Sequence, residues 1–268
     1  MRRNYRNLLQ QNEFRFSLLP YICLLTFYSM TKHIPNTITI LNLFCGCVAV
    51  IQLFEKHYDW AFFFVALGIF FDFFDGMAAR IFNAASPLGL QLDSLADMVT
   101  SGVTPGLTLF FMLQNSSGMP ADSVIPYLGF LPTLGSCYRL ANFNIDTRQT
   151  DSFIGMPTPG NALFIVSLPV VLASTTSLIA IELLTNHFFL IVLAALSAFL
   201  LNAPIPLFSL KFKSFRLSKM KFQLVLVLFS VLSLVVLQVA AVPLIIFLYV
   251  VLSMLKNATE RKSQKTSA

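Results

Sequence analysis

Asp72-Phe-Phe-Asp75-Gly76-Met-Ala-Ala79-Arg80, followed after eight residues by Gly89-Leu-Gln-Leu-Asp93-Ser-Leu-Ala-Asp97, is the stretch that decides how this chain is read. It holds four of the 12 acidic residues of the chain, and both its flanks are long apolar runs. Ionised groups near lipid are costly, so they face a polar cavity, a partner or a bound ion. On a helix, Asp72, Asp75, Gly76, Ala79 and Arg80 form one stripe. Gly89, Asp93 and Asp97, four residues apart, form a second stripe on the next helix. The link near Phe82 to Ser86 is short, and Ser86-Pro87 reads as an N-cap followed by proline at the first helical position. A short link makes the two helices antiparallel neighbours, and Gly76 and Gly89 leave room between the stripes for a ligand.

Outward from this stretch, hydrophobic residues make up 56% of the 268 residues and charged residues 11%. A soluble domain carries about a quarter charged residues. With a mean hydropathy of +0.76, the chain is expected to be an integral membrane protein. A crossing helix needs about 20 mostly apolar residues. Eight candidates lie near 36–55, 58–82, 88–113, 123–141, 160–177, 186–203, 221–238 and 239–256. The expected fold is therefore all-α, a polytopic membrane helix bundle of about eight transmembrane helices. The last two candidates, punctuated only by Pro243, should form a tight antiparallel hairpin.

With both termini inside, every Lys and Arg except Lys56 falls in a cytoplasmic segment. This is the positive-inside bias, and it accounts for the net charge of +6 without invoking nucleic acid. The cluster Lys211, Lys213, Arg216, Lys219 and Lys221 reads as a topology and anionic-lipid element. Cys23, Cys45, Cys47 and Cys137 show no disulfide or zinc spacing. Residues 1–30 form an N-terminal extension of uncertain status. Its apolar part, Ser17 to Met30, is too short to cross; it reads either as an amphipathic surface helix or as residues ahead of a start at Met30. The membrane domain runs over 31–256 and a basic cytoplasmic tail over 257–268.

Four facing carboxylates repel one another in a low dielectric unless protons or cations intervene. Hard oxygen ligands suit Mg²⁺, Mn²⁺ or Ca²⁺, and paired metals are a common device for displacement at phosphorus. No His or Cys joins the cluster, which argues against zinc. Arg80 supplies a fixed cation able to clamp phosphate oxygens.

The pattern Asp72-x2-Asp75-Gly76-x2-Ala79-Arg80-x8-Gly89-x3-Asp93-x3-Asp97 resembles the signature of the CDP-alcohol phosphatidyltransferase family, with no departure at a fixed position. The resemblance implies that Asp72, Asp75, Asp93 and Asp97 hold two divalent cations, Mg²⁺ or Mn²⁺. Asp97 would also be the catalytic base on the acceptor hydroxyl. Gly76, Ala79, Arg80, Ser86 and Gly89 would line the CDP-diacylglycerol site. Asn36 and Thr39 would join them, although capping of the first span is the competing reading for that pair.

Pro35-Asn36-Thr37-Ile38-Thr39 with Asn42 and Gly46, Arg139-Leu-Ala-Asn142-Phe-Asn144, and Phe153-Ile-Gly155-Met-Pro157-Thr-Pro159 are similar to the phosphatidylserine synthase branch of that family. That branch implies phosphatidyl transfer from CDP-diacylglycerol to L-serine with release of CMP. Asn142 departs from a basic residue common in relatives, so Arg139, Asn144 and Arg148 are the candidates for the acceptor. Alternatives are the same chemistry on glycerol 3-phosphate or inositol phosphate, and, from another class, a divalent-cation transporter. Membrane lipids are implied partners and, since many relatives dimerise, so is a second copy of the chain. The expected location is a bacterial inner (cytoplasmic) membrane with the site on the cytoplasmic side.

Overall fold

The computed structural model describes residues 33–145, 153–204, 206–207 and 221–266. The extension 1–30, Arg148 and residues 208–220 lie outside the described residues. The chain is helical: α1 Ile34–Phe54, α2 Tyr58–Ile81, α3 Pro87–Asp97, a π-helical turn Met98–Val103, α4 Thr104–Gln114, a 3₁₀ turn Ile125–Phe130, α5 Leu131–Ile145, α6 Thr158–Ser174, α7 Leu178–Thr185, α8 His187–Asn202, α9 Lys221–Leu237, a 3₁₀ turn Gln238–Ala240 and α10 Ala241–Thr266. A two-residue antiparallel pair, β1 Phe153–Ile154 with β2 Pro206–Leu207, is the exception.

Four stretches are long and apolar enough to cross a membrane: Ile34–Phe54, Tyr58–Ile81, Pro87–Gln114 and Val225–Leu255. A fifth arises if α7 and α8, bent by 72° at their junction, are one broken span. In the last stretch the chain turns back on itself. Gln238 takes a left-handed backbone (φ 49°), and Leu226 packs against Leu252 across the turn. The reversal therefore falls at Gln238–Ala240, just ahead of Pro243, and the expected hairpin is present. By length and composition the chain is an integral membrane protein.

Pro87–Gln114 is the axis of the bundle. Its apolar window is 67% buried, against 33% for α1 and 28% for α2. The outer helices instead turn Phe44, Phe54, Trp60, Phe63, Phe70 and Phe73 outward, as expected of side chains that meet lipid. Three apolar clusters fix the packing. Leu109 and Leu113 of α4 pack on Ile165 and Leu168 of α6 and on Leu190 and Ala194 of α8. Ala49, Val65, Ala162 and Val166 join α1, α2 and α6. Leu53, Ala61 and Leu107 join α1, α2 and α4.

In lipid, helices associate through close packing at small residues. A Cβ on Gly46 would collide with the Thr100 hydroxyl, and one on Gly68 would lie 2.8 Å from both Asn42 Oδ1 and Thr100 Cγ2. The π turn immediately precedes Pro105, in the first turn of α4, which has no N–H and whose ring clashes with the carbonyl four residues back in an α-helix. The wider turn relieves that clash, and the Thr104 hydroxyl donates to the Val99 carbonyl at 2.9 Å. Single π turns of this kind recur at functional sites.

Gly68→Val should overpack the junction of α1, α2 and the π turn and cost about 1–3 kcal/mol. Thermal melting of purified protein in detergent checks this. Gly160→Ala, whose added Cβ would meet its nearest atom at 3.6 Å, should melt with the parent.

Candidate active site

The link between α2 and α3 sets the geometry. Asn83 adopts a left-handed backbone (φ 47°), which asparagine tolerates. Ala84 N–H donates to Ala79 O at 2.9 Å and Asn83 N–H to Arg80 O at 3.4 Å, the paired bonds of a Schellman close. Ser86 then caps α3 as expected, its hydroxyl accepting from Gly89 N–H at 3.0 Å, with Pro87 in the first turn. This reversal lays the stripe of α2 against the stripe of α3.

Asp72, Asp75 and Asp93 meet there. Each offers a carboxylate oxygen, and these oxygens lie within 4.8 Å of one another. Asp72 and Asp93 stand within hydrogen-bond reach, a contact that two ionised carboxylates make only through a shared proton or cation. Asp97 is close enough to feel Asp93 and Asp75 electrostatically, but it stands outside the three-oxygen group. It is 7% exposed, and Asn42 Nδ2 donates to its Oδ1 at 3.2 Å.

α1 supplies a third wall through residues three apart. Asn36 faces Gly89, where a Cβ would lie 3.1 Å from Asn36 Oδ1. The Thr39 hydroxyl donates to Asp75 Oδ2 at 2.5 Å. Asn42 reaches Asp97, and its own carbonyl accepts from the Thr100 hydroxyl at 3.1 Å. Thr39 and Asn42 thus aim two of the carboxylates. Neither Asn36 nor Thr39 caps the helix: α1 begins at Ile34 with no side-chain cap.

A cleft of about 190 Å³ opens beside the carboxylates, and Asn36, Thr39, Asp75, Gly76, Ala79, Ser86, Gly89 and Asp93 line it together with Pro35, Ala84, Ala85 and Leu90. A Cβ on Gly76 would meet nothing within 4 Å. The missing side chain there is open space in the cleft and serves no packing need. Arg80 is exposed and does not line the cleft.

The Arg139 guanidinium on α5 lies within electrostatic reach of both Asp97 and the Tyr249 hydroxyl on α10. Asn144 is joined to Ser94 of α3, its Nδ2 donating to Ser94 Oγ at 2.9 Å. That bond ties the end of α5 to the site. A family model for CDP-alcohol phosphatidyltransferases matches residues 32–200. The chain belongs to the CDP-alcohol phosphatidyltransferase family. Several relatives carry the name CDP-diacylglycerol–serine O-phosphatidyltransferase. The Bacillus subtilis protein is 40% identical over 154 residues, covering 54% of this chain and 82% of the relative. The Helicobacter pylori J99 protein is 34% identical over 134 residues, or 49% and 55%. The Saccharomyces cerevisiae protein is 32% identical over 159 residues, or 53% and 55%. The matches therefore span just over half the length of the latter two.

The family signature on α2 and α3 accounts for the carboxylates and much of the cleft lining. The α1 donors Thr39 and Asn42 and the π turn carry no charge, and only a three-residue spacing marks the two donors. Tyr249 lies outside the matched region altogether. A metal fits this donor set. Three hard oxygen ligands converge with no Lys or Arg paired to them among the described residues, and Thr39 holds one ligand in place in the manner of an outer-shell partner.

Two outcomes follow from this geometry. Mn²⁺ should raise the melting temperature of the parent in detergent, and Asp93→Asn should remove most of that rise; equal stabilisation of both would dissociate the carboxylates from metal binding. Gly76→Val should melt close to the parent yet raise the KM for CDP-lipid by roughly tenfold or more, since the new side chain fills the cleft and not the core.

Proposed function

We propose that the protein transfers the phosphatidyl group of CDP-diacylglycerol to L-serine, giving phosphatidylserine and CMP. The observation that carries this reading is the meeting of Asp72, Asp75 and Asp93 beside a cleft whose lining suits a nucleotide headgroup. The names of the relatives support serine as the acceptor.

Asp72, Asp75, Asp93 and Asp97 would hold two divalent cations, Mg²⁺ or Mn²⁺, which would supply charge neutralisation for the pyrophosphate. The cytidine and its phosphate occupy the cleft between Asn36, Thr39, Gly76, Ala79, Ser86 and Gly89. Arg80, exposed near the end of α2, reaches a phosphate oxygen from the mouth. Asp97 takes the serine hydroxyl proton. Asn42 occupies its Oδ1, so the proton goes to Oδ2. The serine oxygen forms a bond to the β-phosphorus as the bond from that phosphorus to the CMP oxygen breaks, and CMP leaves.

Arg139 takes the serine carboxylate. Its Nε is buried and meets no hydrogen-bond partner among the described residues, so a bidentate edge remains for a ligand. Arg148 is a second candidate for that role. Asn144 acts indirectly, by holding α5 against Ser94.

Eight crossings follow if 125–145, Thr158–Ser174, the bent pair and each arm of the C-terminal hairpin are counted with the first three helices. Both termini and the site then lie on the cytoplasmic side of the membrane, and acyl tails of the donor stay in the bilayer while its headgroup enters the cleft. A second copy of the chain is a proposed partner.

Purified protein given CDP-diacylglycerol with serine, glycerol 3-phosphate, inositol or inositol phosphate in turn should release CMP with serine. Release with a phosphorylated alcohol alone would replace the acceptor. Asp97→Asn should lower the serine-dependent rate by about 10²–10⁴, and retained turnover would remove Asp97 as the base.

A further inference from the structure

A second cavity, of about 400 Å³, lies at the other end of the bundle. Its walls are apolar side chains of α4, α6 and α7, among them Phe111, Met112, Pro169 and Leu184, and Lys56 lines it from the link between α1 and α2. Met112 and Leu184 belong to the central apolar cluster, so the cavity is cut into the edge of the core. Tyr58, at the start of α2, also lines it. At 1.5 Å per residue, α2 runs roughly 25 Å from Tyr58 to Asp75. This cavity is therefore no part of the carboxylate site.

Lys56 is not explained by its own turn. Its backbone is left-handed (φ 61°), with Lys56 N–H donating to Leu53 O at 3.1 Å and His57 N–H to Gln52 O at 2.9 Å. These are the paired bonds of a Schellman close, whose left-handed position favours glycine. An ion pair does not explain it either. The adjacent carboxylate, Glu55, is taken by His57 Nδ1 at 3.3 Å and by Gln52 Nε2, which donates to it at 3.3 Å. No Lys or Arg among the described residues has a carboxylate oxygen within 4.0 Å. Lys56 is also the one Lys or Arg that the positive-inside distribution leaves outside. An unpaired ammonium thus stands at the rim of an apolar cavity.

We propose that this cavity binds an anionic phospholipid of the leaflet at that end of the bundle. An acyl chain lies against Phe111, Met112, Pro169 and Leu184, and the phosphate pairs with the Lys56 ammonium. The complementarity is of charge and polarity together. A soluble anion would leave the apolar walls uncovered, and an uncharged lipid would leave the ammonium unpaired. A lysine stem lies along apolar surface while its ammonium stays at the water boundary, the level of a lipid phosphate. The volume falls in the range of small-ligand pockets, roughly 300–1,000 Å³. A chain held there extends the central cluster outward and braces α7 against α4 and α6. The lipid is a structural one, bound apart from the substrates, and the inference stands whichever alcohol is the acceptor.

The test melts full-length, delipidated protein in detergent with dioleoyl phosphatidylglycerol or with dioleoylglycerol, which has the same chains and no phosphate. Phosphatidylglycerol should raise the melting temperature of the parent by about 3 °C or more, and dioleoylglycerol should fall well short of that. Lys56→Gly suits the left-handed turn. Without lipid it should melt at or above the parent, yet it should lose most of the rise that phosphatidylglycerol gives. Ala173→Phe, at an exposed position of the cavity lining, should lose the rise with Lys56 still in place. Native mass spectrometry should find one phosphatidylglycerol retained by the parent and none by Lys56→Gly. A parent that phosphatidylglycerol does not stabilise overturns the proposal. So does a rise in Lys56→Gly equal to the parent's, or a rise with dioleoylglycerol equal to that with phosphatidylglycerol.

Discussion

Like charges packed into an apolar bundle set the terms for everything around them. Three carboxylate oxygens lie within 4.8 Å of one another. At an effective dielectric of about 20, each ionised pair at that spacing repels by roughly 3 kcal/mol. Three pairs approach the whole stability of an ordinary domain. The site therefore takes up protons or cations whenever it is folded. The same reasoning explains why these side chains stand at the junction of two helices joined by a tight reversal. A cation can enter from the mouth, and the helices need not part to admit it.

The neutral polar residues around the carboxylates answer a second problem, that of aim. Thr39 and Asn42 project from successive turns of α1 and donate to Asp75 and Asp97. Their hydrogen bonds add no charge to a site already crowded with it. Gly46 and Gly68 let α1 and α2 close on Thr100, and Thr100 in turn accepts a place beneath Asn42 by donating to its carbonyl. The π turn that places Thr100 follows directly from Asp97. The position of the fourth carboxylate is thus tied to a local change of helical register, and through Pro105 to a backbone without a donor.

Much of this was legible in the sequence because charge in an apolar chain is conspicuous. The two stripes, the Ser86 cap and the hairpin near Pro243 could be read from spacing and punctuation. Asn36 and Thr39 could not be told from caps until the cleft beside Asn36 and the Asp75 partner of Thr39 were visible, since asparagine and threonine do both jobs with the same atoms. The split among the four aspartates, three in one group and Asp97 beyond it, depends on how far each carboxylate stands from the facing helix, and no hydrophobic period reports that. Arg80 shares the signature stripe yet is exposed and does not line the cleft, whereas Ala79, one residue before it, does. The approach of Arg139 on α5 to Asp97 on α3 likewise leaves no local trace. The number of crossings suffers from the same limit. A hairpin and a bent pair are apolar throughout, so length alone counts them differently from the path of the chain.

The distribution of polar groups along the axis bears on whether these carboxylates could instead serve a conduit for cations. Thr104 and Thr108 are fully buried within the central span. Their hydroxyls close on the carbonyls of Val99 and Thr104 in their own helix, and Thr133 closes on Gly102. These groups satisfy the backbone and offer no carboxylate ladder. Among the described residues the acids of the core gather at one end, while Glu55 and Asp59 lie at the opposite end of α1 and α2 and are exposed. A transported ion would have to cross the apolar clusters centred on Leu109, Val65 and Leu53 with no charged ligand between. A transferred phosphatidyl group needs no such path, since its tails remain in lipid and only its headgroup visits the carboxylates. The asymmetry of charge along the bundle therefore favours chemistry at one face over passage between two.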